Sequence, residues 1–324
     1  MSIPGDRADL RLPAETLLAE PAPEDEFLPA EEGVVPTKRR SSSQLADIWR
    51  RFKRNKLAMV GLGVVGVLIL LAILGPFIAP YDPKEQNLLN SLQGPSGEHW
   101  FGTDELGRDL YSGMLYGLGL ALLVGIGVML GSLFLGLVLG AIAGYLGGGV
   151  DSVIMRVTDI FLAFPYLIGA IILIRTLDPG RQSTWPVVFA LILLAWPTTG
   201  RLMRGQVLAT REAEYVEAAR SIGAGGPRIV LRHILPNSVA PVLVYAFTGI
   251  GVAIVSMAGL SFLGVGVPLE TPEWGRMISQ GFKYFTVPGS SYLWVFPSIA
   301  IVITTLAFAF VADGLRDSLD PKLR

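Results

Sequence analysis

The sequence EAARSIGAGGPRIVLRHILPN fills residues 217–237 and interrupts an otherwise apolar half of the chain. Strongly apolar runs lie on both sides of it, at Pro186–Gly200 and Val239–Val267. A membrane protein has little need of such a polar, basic segment to stabilise its own apolar helices. The stretch therefore indicates a water-exposed connection that offers a docking surface to a soluble partner.

The composition of the chain is typical of a membrane protein. Of its 324 residues, 51% are hydrophobic and only 16% are charged, whereas a soluble domain carries about 25% charged residues. The net charge of −1 gives no indication of a nucleic-acid partner. The absence of cysteine excludes a disulfide framework and a thiolate metal site.

The first 56 residues differ from the remainder. Residues 1–36 are rich in Pro, Glu and Ala without apolar periodicity, which predicts a mostly disordered extension. A cleavable signal peptide would carry its apolar core near Met1, but the first apolar run begins at Leu57. Residues 1–56 are therefore interpreted as a cytosolic tail ahead of an uncleaved anchor. Its basic residues near the membrane are Lys38, Arg39, Arg40, Arg50, Arg51, Lys53, Arg54 and Lys56.

Six apolar segments predict an all-α membrane protein with six transmembrane helices. A helix needs about 20 apolar residues to cross a bilayer. The candidate spans are Leu57–Ala79, Gly113–Tyr145, Thr158–Ile174, Pro186–Gly200, Val239–Val267 and Leu293–Ala312. Residues 57–313 are thus predicted to form the transmembrane domain, with a connecting loop at 206–238, and residues 314–324 a cytosolic C-terminal tail.

The distribution of positive charge sets the orientation, because basic residues concentrate on the cytosolic side. With a cytosolic N-terminus, the outer segments hold only six of the 26 Lys and Arg residues. The inner excess remains when the first 56 residues are left out. Both termini and the 206–238 loop are therefore predicted to be cytosolic. The outer basic residues are Lys84, Arg108, Arg175, Arg181, Arg276 and Lys283.

The apolar spans contain almost no ionisable side chains; Asp159 and Arg175 lie near the ends of the third span. Ion-coupled carriers usually need buried charges for ion or proton relay. Their scarcity argues against a self-powered secondary carrier, although a site made of backbone carbonyls stays open.

Glycines recur along the second span, mostly four residues apart, and so share one helix face on which another backbone can approach closely. They are Gly127, Gly131, Gly136, Gly140 and Gly144. This stripe predicts either tight packing within the subunit or an interface with another subunit.

The loop between the fourth and fifth spans has the pattern of two short helices. Residues Gln206–Ile222 favour a helix, with Leu208, Tyr215, Ala219 and Ile222 on one apolar face. Gly223 is suited to end this helix in the left-handed conformation. Pro227 suits the first turn of a second helix, which is predicted to end near Leu235 because Pro236 disfavours helix at its predecessor.

This loop resembles the EAA loop of ABC importer permeases. The residues that carry the resemblance are Glu217, Ala218, Ala219, Gly223, Leu235 and Pro236, and His233 in the sequence Arg232-His233-Ile234-Leu235-Pro236-Asn237 resembles the dipeptide/oligopeptide/nickel branch. Four further stretches are similar to the same branch: Phe101–Asp109, Gly144–Pro165, Leu260–Gly275 and Asp313–Pro321. Together they resemble the second of two paired permeases.

The resemblance implies a type I ABC importer permease fold in a bacterial or archaeal plasma membrane, surrounded by lipid. It implies a homologous second permease, two ATPase subunits that bind ATP and Mg, and an extracytosolic substrate-binding protein. Glu217, Ala218, Ala219, Gly223, His233, Leu235 and Pro236 would couple this chain to the ATPases. Di- or oligopeptides are the expected cargo, with oligosaccharides or nickel chelates as the alternative.

No residue pattern indicates catalysis, a metal site or a cofactor in this chain. A phosphate-binding loop needs Gly-Lys before Ser or Thr, and none of the six lysines follows a glycine. The outer-loop carboxylates Asp104, Glu105 and Asp109 are interpreted as solvated loop residues rather than ligands. A stand-alone channel or carrier, or a scaffold for a cytosolic enzyme, would leave the 217–237 segment or the other motifs unexplained.

Overall fold

A computed structural model describes residues 44–180 and 183–319. The predicted disorder of residues 1–36 lies outside these ranges. Within them the secondary structure is helical, with no strand beyond one isolated bridge between Thr103 and Asp109. The prediction of an all-α protein is confirmed.

Eleven helices are present in the described ranges, joined by a 3₁₀ turn at Leu88–Asn90 and a π-helical turn at Val230–Ile234. They are α1 (Gln44–Phe52), α2 (Lys56–Ile78), α3 (Leu110–Leu146), α4 (Gly148–Ala163), α5 (Tyr166–Leu177), α6 (Trp185–Arg211), α7 (Glu214–Ser221), α8 (Gly226–Ile229), α9 (Leu235–Phe262), α10 (Trp274–Phe282) and α11 (Tyr292–Leu319).

Five helical stretches are long and apolar enough to cross a membrane: α2, α3, α6, the continuous stretch Gly226–Phe262, and α11. A sixth crossing requires α4 and α5 to be counted as one broken span, with 94° between their axes. Five of the predicted spans therefore correspond to single helical stretches, and the third does not.

The third span, predicted as one segment over Thr158–Ile174, is a broken span in the structure because the chain bends after Ala163. Pro165 has no N–H to continue the helix and disfavours helical geometry at the residue before it. Phe164 accordingly adopts an extended conformation, with φ −81° and ψ 134°. Hydropathy could not reveal the bend, since both halves are apolar.

The glycines of α3 let its backbone lie close against α6. A Cβ added at Gly136 would stand 2.6 Å from the Thr199 Cβ, and one at Gly144 would stand 2.9 Å from the Val207 Cβ. Gly131 and Gly140 likewise face α6. Of the two readings of the glycine stripe, the packing within the subunit is the one that the structure bears out.

The cytosol-facing ends predicted for the first and last spans lie together. The Asn55 side-chain amide donates to Asp317 at 3.0 Å, and Asn55 also caps α2 by accepting from the Ala58 amide at 3.1 Å. The aromatic ring of Phe52 packs against Gly314. Helix α11 continues to Leu319, past the predicted domain boundary at residue 313.

The loop before α3 is more ordered than a solvated loop. Asp109 is only 4% exposed and its Oδ2 accepts from the Ser112 amide at 2.7 Å, which caps α3. Its Oδ1 lies 2.9 Å from His99 Nδ1, and His99 is also buried. The interpretation of Asp109 as solvated is therefore wrong, because a helix cap holds it inside. The Arg108 Nε donates to the Asp104 Oδ2 at 2.6 Å.

Candidate functional site

The segment between α6 and α9, residues 212–236, is called the connecting segment below. The single helix predicted over Gln206–Ile222 is wrong, because α6 ends at Arg211 and α7 begins at Glu214. Ala213 between them is extended, with φ −73° and ψ 143°. Tertiary contacts fix the break: the Arg211 guanidinium donates to the Gly144 carbonyl at 3.0 Å, and the Ser238 hydroxyl donates to Thr210 at 3.0 Å.

Gly223 ends α7 as predicted, with φ +82°. The Gly223 amide donates to the Arg220 carbonyl at 2.9 Å and the Ala224 amide to the Ala219 carbonyl at 3.0 Å. These two bonds define a Schellman motif, in which a left-handed residue satisfies the last carbonyls of the helix. The chain thereby turns between α7 and α8.

The second helix of the connecting segment does not end near Leu235, and that prediction is wrong. Pro227 lies in the first turn of α8, as expected, but the helix passes through the π-helical turn Val230–Ile234 directly into α9. In this wide turn the Leu235 amide donates to the Val230 carbonyl. The wider hydrogen-bond spacing of the π-helical turn ahead of Pro236 accommodates a residue that lacks an amide proton. The Asn237 side chain donates to the His233 carbonyl at 2.7 Å.

The inner face of the connecting segment packs on the ends of α3 and α6. Val216, Ile229 and Ile234 are at most 1% exposed. Because these side chains interlock with helices that cross the membrane, a displacement of the segment must move the helices with it. The full buried cluster is Ala141, Met203, Val207, Val216, Ala219, Ile229, Ile234 and Val242.

The outer face combines exposed apolar side chains with charged residues of both signs, including the exposed Glu212, Glu214 and Glu217. Ile222 is 85% exposed, Leu231 66% and Tyr215 46%. The apolar face predicted for Leu208, Tyr215, Ala219 and Ile222 is therefore wrong, since the break after Arg211 rotates α7 and leaves Val216 and Ala219 inward. Exposed apolar side chains that form a contiguous patch rimmed by polar residues mark interaction sites. The exposed basic residues here are Arg220, Arg228 and Arg232.

The residues predicted to couple this chain to a partner fall into two groups. Glu217, Ala218, Gly223 and Pro236 are exposed, whereas Ala219 is buried and Leu235 packs at the edge of the same cluster. His233 is half-buried in the π-helical turn. The sequence motif thus contains both contact and packing positions. It missed Ile222 and Leu231, whose only signal was their place beside the turn residues.

Two ion pairs tie α6 to α4 near the connecting segment. Arg204 contacts Asp151 through two hydrogen bonds, of which the Nη2–Oδ2 distance is 2.6 Å. The Asp151 and Arg204 side chains are 17% and 30% exposed. Arg201 pairs with Asp159 at 2.6 Å with both side chains about half exposed. The broken span is therefore fastened to the helix that leads into the connecting segment.

The ends of α9 and α11 lie at the same end of the bundle as the connecting segment. Ala240 and Pro241, shortly after the segment, line one cavity together with Arg316 and Leu319. Within the described ranges no group of three or more His, Cys, Asp or Glu side chains is placed to hold a metal ion.

Comparison with known proteins matches this architecture to a transport family. Residues 136–324, more than half of the chain, match the model of the binding-protein-dependent transport system inner membrane component. The chain belongs to this family. Residues 43–95 of the permease also match the N-terminal transmembrane domain of oligopeptide transport permease C. The predicted membership of the ABC importer permeases, with their fold, is confirmed.

Similar proteins cover nearly the whole permease. The dipeptide transport system permease protein DppC of Alkalihalophilus pseudofirmus is 40% identical over 94% of this chain and 94% of its own length. The oligopeptide transport system permease protein OppC of Bacillus subtilis is 40% identical over 88% and 92%. The glutathione transport system permease protein GsiD of Pectobacterium atrosepticum is 39% identical over 86% and 91%.

Proposed function

We propose that this permease imports di- or oligopeptides as one half of a translocation pathway, and that separate ATPase subunits drive it through the connecting segment. The observation that carries the proposal is the outer face of that segment, where Ile222 and Leu231 are exposed among charged residues of both signs. In the membrane-embedded family to which the chain belongs, a surface of this kind needs a protein partner.

The coupling step follows from the packing. A partner that binds the outer face can shift the permease between two conformations only if it contacts them differently. The buried cluster beneath α7 and α8 joins that face to α3, α6 and α9. Tilting the connecting segment would therefore tilt the helices around the pathway. Glu217 and Gly223 lie on the outer face, and Ala219 and Leu235 transmit the movement inward.

The remaining components are proposed from the family. ATP and Mg bind the ATPase subunits, a homologous permease supplies the other half of the pathway, and a substrate-binding protein delivers cargo outside a bacterial or archaeal plasma membrane. The connecting segment and both termini face the cytosol, which agrees with the inner excess of Lys and Arg. This chain is the transport subunit and performs no catalysis itself.

Peptides are favoured as the cargo because similar proteins are named for dipeptides, oligopeptides and glutathione, itself a tripeptide. Oligosaccharides and nickel chelates are the competing cargos. Uptake into vesicles that contain the purified complex separates them, with radiolabelled trialanine, maltotriose and a nickel–histidine chelate as probes. Saturable, ATP-dependent uptake of trialanine alone is expected.

A charge placed on the outer face tests the coupling. In the Ile222→Glu variant, ATPase subunits should be lost from the purified complex, because a carboxylate would have to be buried at the interface. Leu89→Glu is the matched control, since Leu89 is 91% exposed in the loop before α3. An Ile222→Glu complex that retains its ATPases, or a permease that transports without them, would contradict the proposal.

A further inference from the structure

Two cavities lie end to end along α9. The first has a volume of about 360 Å³ and is lined by α3, the bend between α4 and α5, α6 and α9. The second, of about 500 Å³, opens at the connecting-segment end between α6, α9 and α11. Tyr245 and Thr248 line both cavities, so these two side chains lie where the cavities meet. Each volume falls in the range of small-ligand pockets.

The wall of the first cavity is neutral but not purely apolar. No charged residue lines it, while five hydroxyl-bearing side chains do. The hydroxyls of Thr198 and Tyr245 have no hydrogen-bond partner among residues 44–180 and 183–319. Both side chains are exposed, and both line the cavity. Thr248 donates to the Val244 carbonyl at 3.3 Å, which leaves its oxygen free to accept. Ser256 donates to the Val252 carbonyl at 2.8 Å and is also hydrogen-bonded to Tyr166 in the same wall.

Three of these hydroxyls, on Tyr245, Thr248 and Ser256, form a row along α9. With Val252 between the last two, the four residues follow at spacings of three and four, which places them on one face of α9. A face that packed only against lipid would gain nothing from hydroxyl groups in these positions. The row provides successive donors and acceptors along the length of the first cavity.

The bend at Phe164–Pro165 borders the first cavity. Phe164 and Tyr166 line it, and no side chain caps the start of α5. Irregular backbone inside a membrane is tolerated only where it is buried in protein or lines a water-filled space. The broken third span and the hydroxyl row on α9 thus face the same volume.

We infer that the two cavities are this permease's share of the cargo route, with Tyr245 and Thr248 as its neck, and that they bind a short peptide through its main-chain amides. The inference rests on the proposed import of peptides and assigns the wall of the pathway. The hydroxyl row exchanges hydrogen bonds with peptide N–H and C=O groups, which are common to peptides of every sequence.

A neutral wall fits transport better than a charged one. A fixed charge in a low-dielectric site would hold a peptide terminus strongly, whereas passage requires several weak sites in sequence. The one charged side chain among the residues lining either cavity is Arg316, at the connecting-segment end of the second. The wall therefore does not select cargo by side-chain charge.

Single cysteines test the assignment, because the native chain contains none. Ala195→Cys, which lines the first cavity, and Ala240→Cys, which lines the second, are placed in the full reconstituted complex, with Val302→Cys as control. Val302 lies on α11, is 54% exposed and lines neither cavity. A charged, membrane-impermeant methanethiosulfonate reacts only with the thiolate, which forms where water is present. Labelling rates are measured with and without trialanine, and trialanine uptake before and after labelling.

The Ala195→Cys and Ala240→Cys complexes should import before labelling, react from water, react more slowly with trialanine present, and lose uptake once labelled. The Val302→Cys complex should react slowly and keep its uptake. The assignment is overturned if Ala195→Cys and Ala240→Cys are as unreactive as the control, or if their labelled forms import at the unlabelled rate. Failure of the unmodified native complex to take up trialanine would instead refute the proposed function, since labelling rates are scored without uptake.

Discussion

Replacement of Gly223 should weaken coupling through backbone strain alone. Gly223 has φ +82°, and nothing lies within 4 Å of the position that a Cβ would occupy. An added side chain therefore meets no steric clash, and the cost is the left-handed conformation itself, about 1–2 kcal/mol for an ordinary L-residue. That free energy lowers the population of the native turn about 5- to 30-fold relative to competing conformations.

A graded series of substitutions at residue 223 separates backbone strain from other causes of weakened coupling. Gly223→Asn should be mild, because Asn tolerates the left-handed region, and Gly223→Ala should be intermediate. Gly223→Pro should be severe, since proline fixes φ near −65° and removes the amide that donates to Arg220 at 2.9 Å. The assay is trialanine uptake per ATP hydrolysed in reconstituted vesicles, which should fall in the order Asn, Ala, Pro while membrane insertion is unchanged.

The control is Gly205→Ala in α6. Gly205 also has open space around its Cβ position, but its φ is ordinary for a helix, so alanine should be neutral or slightly stabilising. Equal damage from Gly205→Ala and Gly223→Ala would refute the strain argument. Normal coupling in the Gly223→Pro variant would refute the role of the turn itself.

Three further predictions concern the packing, the ion pairs and the outer loops. Gly136→Ala should lower the free energy of unfolding by about 1–3 kcal/mol because the added Cβ overlaps α6. Gly127→Ala should be neutral, since the nearest neighbour of its Cβ position is at 4.0 Å. Thermal unfolding of the purified complex measures both. Asp151→Asn should lower the free energy of unfolding by about 1.5–3 kcal/mol in the same assay, since it removes charged hydrogen bonds in a partly buried site. The matched change Asp159→Asn, at an exposed ion pair, should lower it by less than about 1 kcal/mol. Equal losses of stability would contradict this ranking. The hydrogen bond that the Tyr284 hydroxyl donates to the Glu105 carboxylate raises the pKa of that hydroxyl. The stabilisation from this bond is complete below the ordinary tyrosine pKa of about 10 and is lost as the pH rises through the raised value. Tyr284→Phe should therefore flatten the decline in unfolding temperature on the alkaline side, and an unchanged decline would show that other groups cause it.

Much of the architecture follows from hydropathy and turn chemistry. Apolar runs of adequate length must be helical in a bilayer, because every backbone polar group has to be satisfied within the segment. The runs therefore located five spans whose helices are continuous in the structure. The left-handed glycine at residue 223 was equally predictable, since glycine is the residue that accepts this conformation without penalty.

Local sequence failed where distant residues decide the geometry. The end of α6 at Arg211 depends on the Gly144 carbonyl, 67 positions earlier. The passage of the helix through Pro236 depends on a π-helical turn held over the buried Ile234. The periodicity of the sequence contains neither contact, so it grouped the exposed Ile222 on one face with the buried Ala219.

The sequence by itself determined that this chain is a helical membrane protein of the ABC importer permeases, with a polar connecting segment that turns at Gly223. Those features depend on solvent preference and on the conformational freedom of single residues, both of which are local. The tertiary structure alone decided the 94° break of the third span, the exposure of Ile222 and the meeting of the two cavities at Tyr245 and Thr248. These depend on which helix faces pack together, and packing is fixed by side-chain shapes far apart in the chain.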